Sequence, residues 1–239
     1  MPDALQTGTA LLEVAGLNAF YGESHILHGI GFEVRRGEVV TLLGRNGAGK
    51  TTTLRAIMGI VRRQGSVRLD GTELVGLSSN RIARRGIGYV PEERGIFSSL
   101  NVEENLMLPP VVKPGGMSLA DIFRLFPNLQ ERRRSQGTKL SGGEQQMLAI
   151  ARILRTGADF LLLDEPTEGL APVIIQQIGL AIGELKRKGM TILLVEQNFR
   201  FAQTVADRHY VMEEGQIRDM IPNDRLDASM DKLHEYLGV

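Results

Sequence analysis

Apolar residues in this chain fall into two kinds of run. The first kind is continuous: Val39-Val40-Thr41-Leu42-Leu43, Phe160-Leu161-Leu162-Leu163 and Thr191-Ile192-Leu193-Leu194-Val195 show no polar alternation and read as strands buried on both faces of a parallel sheet. Arg85-Gly86-Ile87-Gly88-Tyr89-Val90, stopped by Pro91, reads as another. Shorter runs near the start, Leu11-Leu12-Glu13-Val14 and Gly31-Phe32-Glu33-Val34, read as antiparallel strands with tight turns, leading through Arg36-Gly37 into Glu38 to Leu43. Val67-Arg68-Leu69-Asp70-Gly71 carries an Asp-Gly turn signal, and Arg208 to Ile217 reads as a hairpin. The second kind has helical spacing. It covers Thr52 to Met58, Val102 to Leu108 (ended by Pro109-Pro110), Leu119 to Leu129, Met147 to Leu154, and Pro172 to Gly189, where Ile175, Ile178, Ile182 and Leu185 share one face and Lys186-Arg187-Lys188 suits the carboxyl end. A short helix with Leu233 and Leu237 closes the chain. Strands flank a helical stretch that begins near Glu92, so the pattern predicts an α/β core with an N-terminal antiparallel β subdomain and an inserted α-helical subdomain.

Composition narrows this only a little. The 239 residues, 42% of them apolar, suffice for one large α/β domain with a normal core. Lys+Arg and Asp+Glu both number 28, and the zero net charge disfavours nucleic acid as a partner. With no cysteine, disulfides and thiolate metal sites are excluded, which suits a reducing compartment. No apolar run approaches the roughly 20 residues that span a bilayer, and Met1 to Ala10 lacks a signal peptide's basic start and apolar core. The chain is expected to be soluble and, if it acts at a membrane, to be held there by a partner.

The chemistry starts at Gly44-Arg45-Asn46-Gly47-Ala48-Gly49-Lys50-Thr51, between the Val39–Leu43 strand and a helix that Thr52 opens. Strand, glycine loop and helix in that order form a phosphate cradle. Its glycines let successive N–H groups point at phosphate oxygens, and the helix start adds donors and a positive dipole end. Lys50 supplies a charge for β- and γ-phosphates and Thr51 a hydroxyl for Mg²⁺, so the implied ligand is a nucleoside triphosphate. Asp164 and Glu165 end a buried strand and are delivered to the same rim as the loop. Asp164 would orient Mg²⁺ through water, and Glu165 would polarise the attacking water. Glu196-Gln197-Asn198 arrive at that rim too, and by themselves are polar loop residues. In Leu140-Ser141-Gly142-Gly143-Glu144-Gln145-Gln146, Ser141 and Glu144 form a capping box at a helix start. The box does not require two glycines, whereas a second anion site at this terminus would. Tyr21-Gly22, taken alone, is a packed turn. Arg132-Arg133-Arg134 reads as a solvated helix end, and the four histidines, lacking metal spacing or a nucleophile partner, as structural.

The phosphate loop, the Leu-Ser-Gly-Gly-Glu-Gln-Gln stretch and the strand ending Asp-Glu, in that order, resemble the ATP-binding cassette ATPases over nearly the whole chain. The resemblance implies a P-loop NTPase fold with a RecA-like parallel sheet core. It implies one domain over residues 1–239: a nucleotide-binding core with its β subdomain at 10–91 and 156–225, a helical subdomain at 92–155, and a C-terminal helix at 226–239. In such cassettes two copies pair head to tail, and each ATP lies between the phosphate loop of one and the Ser-Gly-Gly stretch of the other. Gly44 to Thr52 would therefore hold ATP, with Thr51, Glu92 and Asp164 around Mg²⁺ and with Lys50, Glu165 and Gln197 catalytic. Ser141, Gly142 and Gly143 would face the partner's nucleotide, and Tyr21 would stack on adenine.

Two positions depart from the family pattern: Glu92 stands where most members have glutamine, and Gln197 where most have histidine. Glu92 still offers Mg²⁺ an oxygen but adds negative charge. Gln197 can donate to a γ-phosphate but cannot shuttle a proton near neutral pH, which shifts the burden to Glu165 as base. Thr167-Glu168-Gly169-Leu170-Ala171 also lacks the aspartate common at its end. Val90-Pro91-Glu92, Gly169-Leu170-Ala171-Pro172 and Leu194-Val195-Glu196-Gln197-Asn198 look like the ATP-binding subunits of bacterial branched-chain amino acid importers and their amide and urea relatives. That likeness implies a cytoplasmic ATPase at the inner face of the membrane, paired with a second cassette of the same or a sister chain, docked on permease subunits and served by a periplasmic binding protein. Other readings stay open: a lipopolysaccharide-transport ATPase, a soluble cassette acting on nucleic acid or ribosomes, and a non-hydrolysing switch.

Overall fold

The computed structural model describes residues 10–229. Its elements run β1 (Ala10–Tyr21), β2 (Ser24–Arg35), β3 (Val39–Leu43), α1 (Lys50–Ile57), β4 (Arg62–Leu69), β5 (Thr72–Glu73), α2 (Ser79–Ala83), β6 (Ile87–Val90), α3 (Val102–Met107), α4 (Leu119–Leu125), α5 (Pro127–Glu131), α6 (Gly142–Arg155), β7 (Phe160–Asp164), α7 (Pro172–Arg187), β8 (Thr191–Glu196), α8 (Phe199–Val205), β9 (Arg208–Glu213) and β10 (Gln216–Pro222). The continuous apolar runs lie side by side in a six-stranded sheet ordered β10-β9-β3-β8-β7-β6, parallel except for the β9–β10 hairpin. β1, β2, β4 and β5 form a separate antiparallel sheet.

Every residue of β3, β7 and β8 is buried, and the two-residue period sorts them between two cores. Phe160, Leu162, Leu193 and Val195 join α1 and the antiparallel sheet, while Leu161, Leu163, Ile192 and Leu194 join α6, α7 and the helical insertion. Register then fixes the functional rim. Leu43 pairs with Glu196 and Asp164 with Val195, so the ends of the three central strands lie level and release their loops on one side.

Two features differ from the sequence pattern and one agrees with it. β1 and β2 each run 12 residues, because register shifts between Val14 and Leu17 and between Leu17 and Ala19 interrupt the alternation that marks only their ends. The helix expected over Leu119 to Leu129 is two helices. Phe126 leaves helical geometry (φ −128°, ψ 76°), and Pro127, which has no N–H and crowds the residue before it, opens α5. Phe126 and Leu129 stay buried, so the break turns the chain without exposing the core. The Asp-Gly signal is met by Asp70 (φ 48°) and Gly71 (φ 70°) in the two-residue turn joining β4 to β5. The helix carrying Leu233 and Leu237 lies outside the described residues.

In the insertion, α6 starts with the expected capping box: Ser141 Oγ accepts from Glu144 N, and Glu144 Oε2 accepts from Ser141 N at 2.7 Å. Arg132 and Arg133 are exposed and paired with Glu144 and Glu103. His209 is buried between Thr41 Oγ1 (2.6 Å) and Asn223 Oδ1 (2.9 Å), and burial lowers its pKa, so it is a neutral structural group. Among the described residues no cluster of His, Cys, Asp or Glu forms a metal cage, and no helix is long and apolar enough to cross a membrane.

Candidate nucleotide site

Between β3 and α1 the chain turns through Gly47 (φ 82°) and Gly49 (φ 103°), conformations that a side chain rarely adopts. A Cβ at Gly49 would also lie 2.8 Å from Leu27 Cδ2. Gly215 N, in the β9–β10 turn, donates to Ala48 O at 2.9 Å and holds the loop's outer side. Arg45, Asn46 and Gly47 are exposed, whereas Gly44, Ala48, Gly49, Lys50 and Thr52 are buried.

Lys50 has a side chain only 3% exposed; its Nζ donates to Gly44 O (2.9 Å) and Arg45 O (3.1 Å) and pairs with Glu165 Oε1 at 3.1 Å. Glu165 is a non-glycine residue at φ 44°, held there by its own N–H to Val195 O. Gln197 Nε2 donates to Glu165 Oε2 (2.8 Å) and to Asn46 Oδ1 (2.5 Å), joining the ends of β7 and β8 to the loop. Thr51 Oγ1 donates to Asp164 Oδ1 at 2.8 Å, and Tyr89 OH donates to Oδ2 at 2.9 Å. Burial raises the Asp164 pKa, and these two hydrogen bonds oppose that rise.

A cleft of about 460 Å³ opens over the loop, with Tyr21 and Ile26 on one side and Glu92, Glu165 and Glu168 on the other. A larger groove of about 770 Å³ lies between α7 and α8, but it is mostly apolar and contains none of the loop, so chemistry rather than size identifies the site. The structure thus brings together Tyr21, Asn46 to Thr52, Glu92, Asp164, Glu165 and Gln197. It does not bring Ser141, Gly142 and Gly143 to the same cleft. Gly143 is buried, and a Cβ there would sit 2.7 Å from Ile174 Cγ2, so packing within the chain already requires it; Gly142 faces the Arg94 guanidinium.

Three residues escaped the sequence reading, and a fourth, Glu196, expected as a polar loop residue, is instead a buried strand end. Glu168 lines the cleft, its pKa raised by burial and then by Glu165 and Glu92. Tyr89 and Arg55 stand behind Asp164 and Tyr21; the available signal was a phenol at the carboxyl end of a buried strand. Glu196, the last residue of β8, is 3% exposed, and burial pushes its carboxyl up to about 7 against the opposing hydrogen bond from Thr167 Oγ1 at 2.7 Å.

Because the folded form of Glu196 binds its proton more tightly than the unfolded chain, its contribution to stability is complete below 4.5 and is lost as pH rises through about 7. Glu196→Gln is expected to flatten the fall in stability between pH 5 and pH 8 by on the order of 2 kcal/mol, read from urea midpoints of both proteins at the two pH values. Parallel pH profiles would contradict this.

Comparison with known proteins adds four findings. A family model described as ABC transporter matches residues 27–168. The high-affinity branched-chain amino acid transport ATP-binding protein BraG of Pseudomonas aeruginosa is 46% identical over 211 residues, 87% of this chain and 91% of BraG. The lipopolysaccharide export system ATP-binding protein LptB of Haemophilus influenzae is 35% identical over 218 residues, 87% of this chain and 89% of LptB. Among solved structures, a nucleotide-free ATP-binding cassette from an ABC transporter superposes with a TM-score of 0.83 at 23% identity, covering 97% of this chain and 99% of that one.

Proposed function

The chain belongs to the ABC transporter family of ATP-binding proteins, and from that premise we propose that it is the ATPase subunit of a bacterial importer of branched-chain amino acids or related amides. The observation that carries the choice of cargo is the 46% identity to BraG over 87% of the chain. Export of lipopolysaccharide is the second reading, favoured by the LptB likeness at 35%. Glu92 counts against it, since exporter relatives are expected to keep glutamine there.

In this reading the amides of Gly44 to Thr52 and the Lys50 ammonium bind the triphosphate, and Tyr21, 41% exposed at the cleft edge, stacks on adenine. The donors around Thr51 are hard oxygens, its own hydroxyl and the carboxylates of Asp164 and Glu92, a set that suits Mg²⁺. When bound, the ion neutralises charge on the β- and γ-phosphates. Glu165 orients and deprotonates the attacking water, and Gln197 holds Glu165 and, by exchanging its bond to Asn46, donates to the γ-phosphate. Ser141, Gly142 and Gly143 complete the site of a second cassette, so the active unit is a pair. Within the helical subdomain of residues 92–155, the insertion around residues 95–138 docks a permease, supported by the exposure of Met107, Leu108 and Val111. The pair then sits on the cytoplasmic face of the membrane, held by permeases that receive cargo from a periplasmic binding protein.

Loss of the chain is expected to abolish high-affinity uptake of leucine, isoleucine and valine while lipopolysaccharide still reaches the cell surface, measured by radiolabelled uptake and surface lipopolysaccharide in the same deletion strain. The opposite pattern would replace import with export.

A further inference from the structure

Asp164 is fully buried, and each of its carboxylate oxygens is held by a hydroxyl from a different element: Oδ1 by Thr51 of α1 and Oδ2 by Tyr89 of β6. Two donors on opposite oxygens leave a carboxylate one orientation and so decide where its remaining lone pairs point. Tyr89 also feels the Arg55 guanidinium, one helical turn beyond Thr51 on α1, which opposes the rise that burial imposes on the phenol pKa. Arg55 Nη1 also reaches Tyr21 OH at 3.5 Å, and Nη2 pairs with Glu93 Oε1 at 3.3 Å. Hydrogen bonds therefore join Tyr21 to Arg55 and Tyr89 to Asp164 and Thr51, and the charge of Arg55 acting on the Tyr89 phenol links the two sets.

Packing alone does not explain this arrangement. A phenylalanine at 89 would fill the same space on β6, but it would release Oδ2 and leave a buried carboxylate oxygen without a donor. The exposed Arg55–Glu93 pair is worth little as a salt bridge, so the value of Arg55 lies in the hydroxyls it joins. We propose that Tyr89 and Arg55 are positioning residues for the metal-binding side of the site: Tyr89 fixes the orientation of Asp164, and Arg55 couples Tyr89 to the base-stacking ring of Tyr21. This rests on the nucleotide reading given above. It adds that filling the base site and ordering the metal site are linked through a side-chain path distinct from the phosphate loop.

The test uses Tyr89→Phe in the full chain, with Mn²⁺ binding followed by electron paramagnetic resonance in the presence of a non-hydrolysable ATP analogue. Mn²⁺ affinity is expected to fall by about 10-fold or more, the size of effect produced when a partner of a metal-binding group is removed. Analogue binding in EDTA is expected to stay close to wild type, while the thermal midpoint falls by a few degrees because Oδ2 loses its donor. Tyr21→Phe, which keeps the stacking ring, is expected to weaken Mn²⁺ binding by a smaller factor and to add nothing on an Arg55→Ala background. Unchanged Mn²⁺ affinity in Tyr89→Phe would overturn the proposal, and so would an equal loss of analogue binding with and without metal, which marks a packing role. A wild-type chain that binds the analogue normally keeps the nucleotide reading intact under either result; one that binds none removes both.

Discussion

Lys50→Ala is expected to reduce affinity for ATP by at least about 10²-fold, or roughly 3 kcal/mol, and to abolish turnover. The magnitude follows from where the ammonium sits. It is buried at the floor of the loop, donates to two loop carbonyls and pairs with Glu165, so no other cation in the cleft lining can replace it. Removing it costs more than a phosphate contact. Glu165, with a side chain 9% exposed, would be left beside the cleft without its ion partner, and the carbonyls of Gly44 and Arg45 would lose a donor. The variant is therefore expected to be less stable as well, and calorimetric titration with ATP alongside thermal unfolding separates the two effects. ATP affinity within a few-fold of wild type would place the triphosphate elsewhere.

Glu165→Gln is expected to act differently, lowering turnover by about 10²–10⁴-fold with ATP binding retained. The substitution keeps shape and removes charge and basicity. Its consequences for geometry are specific. If the new amide keeps its oxygen toward Lys50, its NH₂ group faces the Gln197 NH₂, which already donates to Asn46, and two donors meet where a donor and an acceptor were. Binding survives because the loop amides and Lys50 are untouched, and the loss of a negative charge beside a triphosphate favours the bound state. Gln197, the residue bonded to Glu165, cannot take up a proton near neutral pH and so cannot replace the base.

The parts of this site legible in the sequence are those built by local chain geometry. The phosphate loop is strand, glycines and helix within a few residues, and the Ser141 capping box spans one turn, so spacing alone finds both. The Asp164–Glu165 end of β7 was readable because a continuous apolar run has to be buried and has to end at a rim. The Tyr89–Asp164 and Arg55–Tyr21 contacts were not, since their partners lie 75 and 34 residues apart and meet only through the parallel pairing of β6 with β7 and the packing of α1. Gly143 shows the converse. A Cβ there would meet Ile174 of α7, so packing within the chain already calls for a glycine and the residue type alone does not mark a ligand. β1 and β2 were underestimated because bulges break the period that marks a strand.

The central claim is that this chain binds ATP on its phosphate loop and hydrolyses it with Glu165. Its most direct test is phosphate release by the wild type and by Glu165→Gln, each with ATP binding measured in the same preparation and with the cassette pair assembled. The account predicts saturable ATP binding by both proteins and Mg²⁺-dependent turnover by the wild type alone. A wild type that binds no ATP, or a variant that turns over at the wild-type rate, would contradict it.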